Sequence, residues 1–507
     1  MIPFAGPPAL GEKPATTTGI RRKQRKSYWK SSIGADVHSD LFTNRAYTIK
    51  VLFVSFVRIS YNMFGNRKYI LIISHDVVGD RMAGPGIRYF HLARVLAQEF
   101  RVILAIPEGS MVSGIFPIII YRSGRDALLE QAIANARVVI IPAVYVAQIP
   151  AIWNTDSFIV VDGYDPFVAE SLFLGGDVLA LQRALTKAYL VGDFFICASE
   201  RQRDWLLGLL EAHGRINSFT FSEDPSLRKL VDVVPFGLPE TPPQATKPVI
   251  RGIWPGISRQ DKVVLWGGGL WPWLDPLTAI RAVARVWQQR RDVRLIFPGT
   301  RHPNPQMANI PTHNERAKIL AEELGLLNKA IFFGEWVPYI DWPGVLLESD
   351  LAITLHLDTL EARLAFRSRV LDYIWAGLPV IATRGDAISD LIERYQLGIV
   401  VDYEDDLGVA SAILQLLEIP KEIWRTRFEK AWKDLTWERA ARPLMEFCHS
   451  PRRAPDKATL GEHIGNPYYI SEITYLRTLI KGYEQGRFIR LMRWLHQTRV
   501  EVQKWLR

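Results

Sequence analysis

Short apolar runs recur along the chain, each bounded by polar or glycine-rich positions. In the first half they read YILIIS, RVILAI, VVII, FIVV, FFICAS and VDVVP, with amphipathic stretches such as IRYFHLARVLAQEF (Ile87, Phe90, Leu92, Leu96) between them. Brief apolar runs without strict alternation are what strands buried on both faces look like, and helices between such strands imply a parallel, doubly wound sheet. A proline-rich stretch, PFGLPETPPQATKP, interrupts the pattern, which then restarts with VVLWGGG, RLIFPG, AIFFGEW, LAITLH, PVIAT and GIVVD. The prediction is an α/β protein of two Rossmann-like doubly wound parallel-sheet domains facing a cleft, with a C-terminal helical tail. Such sheets take ligands beyond the carboxyl ends of their strands. The expected division is a basic, poorly ordered extension over 1–67, a first domain over 68–242, a second over 243–430, a crossover helix over 431–450 and an amphipathic tail over 451–507.

Charge adds detail at the two ends. The chain of 507 residues carries a net charge of +9, and basic residues crowd its first thirty positions and its last thirty. Such ends suit an anionic partner, or are simply solvated tails. From Ser471 the tail spaces Ile473, Leu476, Ile480 and Tyr483, then Phe488, Leu491, Leu495 and Val502, at helical intervals, beside Trp494 and Trp505. Two readings stay open: a basic amphipathic helix on an anionic membrane surface, or a stripe packed on the protein body. The two cysteines, Cys197 and Cys448, give neither a disulfide framework nor metal-ligand spacing, so the chain reads as cytosolic, with Cys197 in the core. No uninterrupted apolar run reaches the ~18 residues of a membrane span. The acidic DYEDD stretch (Asp402 to Asp406) reads as a surface loop, so no metal is expected.

Three glycine turns at strand ends supply candidate chemistry: Gly84-Pro85-Gly86 with Arg88 beyond it, Gly267-Gly268-Gly269, and Pro298-Gly299-Thr300. Glycine lets backbone N–H groups approach a phosphate closely. None of the three matches a dinucleotide fingerprint or a phosphate loop ending in G-K-[ST], which disfavours a dehydrogenase or P-loop enzyme. The stretch Phe366 to Asp386, FRSRVLDYIWAGLPVIATRGD, reads as a basic helix carrying Arg367 and Arg369, closed by Gly377 and followed by a buried strand. Arginines at a helix start beside a parallel strand suit a nucleotide diphosphate.

Several of these segments together resemble glycosyltransferase family 4 of the GT-B fold. DYIWAGLP (Asp372 to Pro379) is similar to the end of that family's paired-acid element, VPFGLP (Val234 to Pro239) to its V-P-N-G-V element, and Thr436-Trp437-Glu438 to its S-W-E signature. Two departures stand out. Leu364 occupies the place of the first acid, with Glu361 the nearest carboxylate, and the second glycine turn runs into Trp271 and Trp273 where the family has Arg and Lys. The resemblance implies transfer of a sugar from a nucleotide-sugar donor, with retention and without a bound metal or cofactor, in cell-surface polysaccharide or glycolipid synthesis. It implies that Asp372 accepts from the ribose and Glu361 from a sugar hydroxyl. Gly268, Gly269, Arg367 and Arg369 would hold the diphosphate, with Trp271 and Thr300 nearby, and Trp336 and Val337 would flank the base. On the acceptor side stand Gly84, Gly86, Arg88, Tyr164 and Asp165, with Asp162 and His75 as further catalytic candidates. Plain structural readings remain for several of them: packing for Trp271 and Trp273, a helix cap for Asp162 or Asp165, and a strand-end role for His75. The expected partners are the donor and a glycan or lipid-linked acceptor, with contact to the inner face of a membrane through 471–507 and no nucleic acid. A nucleotide-sugar epimerase and a non-catalytic binding protein of the same fold are the alternatives.

Overall fold

The computed structural model describes residues 69–457 apart from 81, 113–115 and 301–309, together with 476 and 478–480. The basic extension, and the tail beyond 457 except for those four positions, lie outside the described residues.

Seven strands form the first sheet: β1 (Ile70–Ile73), β2 (Val102–Pro107), β3 (Ile118–Tyr121), β4 (Val138–Pro142), β5 (Phe158–Asp162), β6 (Phe194–Cys197) and β7 (Val231–Val233). Six form the second: β8 (Lys262–Leu265), β9 (Val293–Phe297), β10 (Ile331–Phe333), β11 (Leu351–Thr354), β12 (Val380–Thr383) and β13 (Gly398–Val401). The sheet orders are β3-β2-β1-β4-β5-β6-β7 and β10-β9-β8-β11-β12-β13, and the strand pairings are parallel. Both therefore reverse direction between their first and fourth strands, β1/β4 and β8/β11. A crevice opens at such a reversal, beyond the strand carboxyl ends.

The apolar runs become strands because both faces are covered: every residue of β1, β4, β6 and β12 is buried. One strand escaped the pattern reading. β3 is a four-residue edge strand whose Ile120 is exposed. Helices start just past strand ends on side-chain caps: Ser199 accepts from the Gln202 N–H, Asp275 from Thr278, and Asp386 from Ile388 and Ser389.

Thr436 caps a helix as anticipated, but the segment WERAARPLMEFC is two helices, Trp437–Ala440 and Arg442–His449. Pro443 lacks the N–H that a continuous helix would need there. Both pieces pack on elements of the first sheet's unit. Trp437 stacks on His91 at 5.1 Å, Phe447 stacks on Phe194 at 4.8 Å, and Asp456 pairs with the buried Arg215 at 2.6 Å. The close passage needs Gly237, since a Cβ there would lie 2.4 Å from the Trp437 Cα.

The two units also touch directly. Gln202 donates to the Tyr164 carbonyl (2.6 Å) and, across the cleft, to the Leu364 carbonyl (2.8 Å). Arg201 reaches Asp390 at 2.5 Å, and the Tyr339 N–H reaches the Asp80 carbonyl at 2.8 Å.

Candidate active site

The strand ends of the two sheets enclose an open pocket of about 230 Å³, with a smaller recess beside it. Its floor is the turn after β8. The Gly267 N–H donates to the Tyr373 Oη (2.8 Å). Gly268 sits at φ +120°, where other residues are strained, and a Cβ there would lie 3.5 Å from the Arg369 Nε. Among the described residues, the N–H groups of Gly268 and Gly269 meet no acceptor. Opposite, the 13-residue helix Gly84–Leu96 starts at the pocket wall, turning its positive end towards the same space. Gly86 allows that start, because a Cβ there would sit 2.3 Å from the Val77 carbonyl oxygen.

The two arginines of the second unit differ. Arg367 is locked in a two-pronged pair with Glu361 (2.8 and 2.7 Å), its side chain only 10% exposed. Arg369, at the start of the helix Arg369–Trp375, makes no hydrogen bond or ion pair among the described residues. Its guanidinium lies 5.7 Å from the Trp336 ring centre and 5.5 Å from that of Trp342. Both arginines line the pocket, Arg367 already paired with Glu361 and Arg369 uncommitted.

Trp336, Val337, Gly299 and Asp372 line the recess. Gly299, at φ +90°, leaves room for the Trp336 ring, which a Cβ would approach to 3.1 Å. The Trp342 indole donates to Asp372 at 2.9 Å, and burial pushes the Asp372 carboxyl up to about 6 against the pull of Arg369. Thr300 does not line this space, for its hydroxyl is given to the Gly334 carbonyl at 3.1 Å.

At the other end stand Trp271 and Trp273, stacked at 5.5 Å with 8° between their planes, and the carboxylates of Asp165 and Glu170. Burial raises Asp165 to about 7. Glu170 is pushed well above the usual range by burial and by repulsion from Asp165 and Glu361.

Four side-chain candidates of the first unit are not brought into the pocket, and Gly86 does not line it either. Arg88 and Asp162 are fully buried and bind each other (2.6 and 3.0 Å), with Arg88 also reaching the Val234 carbonyl at 2.9 Å and lying between the rings of Tyr164 and Phe236. Tyr164 is buried in the same cluster. His75 is buried edge-on to Tyr89, and burial lowers it to about 4, so it is neutral. Asp76, its neighbour, lines the pocket instead.

Sequence reasoning missed Asp76, Glu170, Trp342 and Tyr373. Glu170 carried a signal, being in the first turn of the helix that follows β5. Trp342 and Tyr373 act on partners 30 and 106 residues away, which no local pattern announces.

The stretch holding most of this chemistry, residues 261–419, matches the family Glycosyl transferases group 1. That match lies within the second domain. Around it, the whole fold is similar to solved structures. One is Anabaena HepE in complex with UDP and glucose: 16% identity, 76% of this chain and 100% of that one covered, TM-score 0.55. Another is sucrose-phosphate synthase from Thermosynechococcus elongatus: 14%, 76% and 98%, TM-score 0.53. A third is a UDP-forming α,α-trehalose-phosphate synthase from Burkholderia xenovorans in complex with glucose-6-phosphate: 13%, 75% and 100%, TM-score 0.50. The fold is therefore GT-B. No curated protein matches the chain. Among the described residues of this glycosyltransferase fold, no group of three or more His, Cys, Asp or Glu could hold a metal, and no helix is long and apolar enough to cross a membrane.

Proposed function

We propose that the protein transfers a sugar from a nucleotide-sugar donor to a hydroxyl of a glycan or lipid-linked acceptor. The observation that carries this reading is the uncommitted Arg369 beside the open N–H groups of Gly268 and Gly269, facing the start of the helix Gly84–Leu96. Positive charge and fixed donors around one point are what a departing diphosphate needs. The base would enter the Trp336 recess, the ribose would meet Asp372, and the donor sugar would lie towards Glu361. In the transfer, the bond from the anomeric carbon to the diphosphate breaks as the bond to the acceptor oxygen forms, and the acceptor's proton leaves with the departing phosphate. Closure of the two domains would keep water out. The scheme asks for no bound metal or cofactor, and family resemblance supports retention at the anomeric carbon. The setting proposed is the cytoplasm, at the inner face of a membrane, in cell-surface polysaccharide or glycolipid synthesis.

UDP is the nucleotide to try first, since the HepE and trehalose-phosphate synthase structures carry UDP in their names. A thermal-shift screen of UDP, GDP, dTDP, CDP and ADP, with and without Mg²⁺, tests the donor site. At a hundredfold excess over Kd, one of them should add about 2.7 kcal/mol to stability, independent of Mg²⁺. No shift with any of the five contradicts the proposal. Release of the diphosphate from the matching nucleotide-sugar then separates an enzyme from a protein that only binds.

A further inference from the structure

Tyr164 and Leu364 belong to different domains, yet one side chain meets the backbone carbonyl of each. Gln202 stands in the first turn of the helix Glu200–Ala212, which Ser199 caps. Its Oε1 accepts from the Ala198 N–H at 2.7 Å. A backbone N–H can only donate, so that bond fixes which way round the amide lies. The Nε2 group then gives its hydrogens to the Tyr164 carbonyl at 2.6 Å and to the Leu364 carbonyl at 2.8 Å. The whole residue is buried. One fork thus grips both domains out of reach of water.

The gripped segments carry the pocket. Leu364 ends the short helix Leu360–Leu364, where no further turn supplies an N–H to its carbonyl. That helix bears Glu361, clasped by Arg367, and Ala365 to Arg369 continue from it along the pocket wall. Tyr164 directly precedes Asp165, which lines the pocket from the first domain. The same stretch is pinned at a second point, where Phe366 stacks on Phe236 of the first domain at 6.0 Å with 10° between the planes. The pair of Arg201 and Asp390 also crosses between domains, but its side chains are 37% and 51% exposed, where an ion pair holds weakly. A buried amide is held more firmly, because every partner it loses is left unmet.

We propose that Gln202 is a positioning residue that sets the register of the two domains, holding the segment from Glu361 to Arg369 in line with Asp165 and with the start of the helix Gly84–Leu96. The inference rests on the function proposed above, in which the diphosphate lies between Arg369 and that helix start. Gln202 does not line the pocket, so it acts through the backbone that it holds. A misplacement of about 1 Å at a reacting centre can cost roughly a hundredfold in rate.

Gln202→Glu tests this, because it keeps the size and the bond from Ala198 but sets an oxygen against the two carbonyls. Pulsed EPR on the whole protein reads the register between spin labels on Gln131→Cys and Glu322→Cys, exposed positions in the first and second domains; Cys197 and Cys448 are buried. The distance distribution should be broader in the Gln202→Glu protein than with Gln202 intact. For release of UDP from UDP-glucose, kcat should fall about tenfold or more, while KM and the affinity for UDP stay within about threefold. The donor contacts proposed for base, ribose and Arg369 all belong to the second domain, so they survive a lost register. Unchanged distances or an unchanged kcat in folded Gln202→Glu overturns the proposal. So does a loss of UDP affinity as large as the loss of rate, which would make Gln202 merely structural. If that variant does not fold, Gln202→Met, which removes the donors without adding charge, takes its place with the same expectations. With Gln202 intact, a protein that neither binds UDP nor releases it counts against the donor reading, and the label distances then judge Gln202 alone.

Discussion

Two arginines, one in each domain, lie close to helix starts beside the cleft, and both are clasped by a carboxylate through two hydrogen bonds. Arg88 with Asp162 is wholly buried, while Arg367 with Glu361 borders the pocket. In the first domain that pair stays out of the pocket, which Asp76, Gly84, Pro85, Asp165 and Glu170 line instead. The second domain adds Arg369, uncommitted, beside a glycine turn with open N–H groups. The same strand order thus yields a sealed arginine at one rim and an uncommitted one, open to the pocket, at the other. A fully buried ion pair gains little over apolar packing, yet losing one partner strands the other charge away from water. Burial and partner, more than residue type, decide which arginine can serve a ligand.

The sealed rim breaks most severely. Asp162→Ala leaves Arg88 buried without its partner and should cost about 3–5 kcal/mol in urea unfolding. A loss below about 1 kcal/mol would show that the pair is not structural. At the open rim, Gly267→Ala puts a Cβ 2.7 Å from the Tyr373 Oη and should cost about 1–3 kcal/mol through overpacking. Gly84→Ala, whose nearest atom would be 3.9 Å away, should stay within about 0.5 kcal/mol, so the two glycines can be compared directly. The smallest effect depends on pH. Asp165 is raised to about 7 in the folded protein, against roughly 4 when unfolded. The folded state therefore binds more protons between those values, and stability declines as pH rises through that window. Asp165→Asn should be more stable than wild type at pH 8, by something on the order of 1 kcal/mol, with the gain gone at pH 4. Equal stability at both pH values would place Asp165 in ordinary solvent.

The fold was largely legible because twelve of the thirteen strands lie in short apolar runs bounded by polar or glycine positions. The edge strand β3 was overlooked although Ile118 to Ile120 form such a run between Pro117 and Tyr121. At the site, glycine turns were visible because their φ angles and close approaches demand glycine, as at Gly268 and Gly299. Pairings were not. Nothing local distinguishes Arg367, bound to Glu361, from Arg369 two residues on. Nothing near Asp162 announces Arg88, 74 residues earlier. Strand-end position placed His75 in the cleft by the same logic that places Asp76 there, and only the direction of the chain past β1 separates them.

The central claim is that Arg369, uncommitted in the fold, is the cation that receives the nucleotide's diphosphate. Calorimetric titration of UDP, or of whichever diphosphate the screen selects, into wild type and Arg369→Ala tests it most directly. Loss of a charge-assisted contact should weaken binding by about 1.5–3 kcal/mol, with the urea midpoint of the variant close to that of wild type. Undiminished affinity in Arg369→Ala, with the protein folded, would contradict the account.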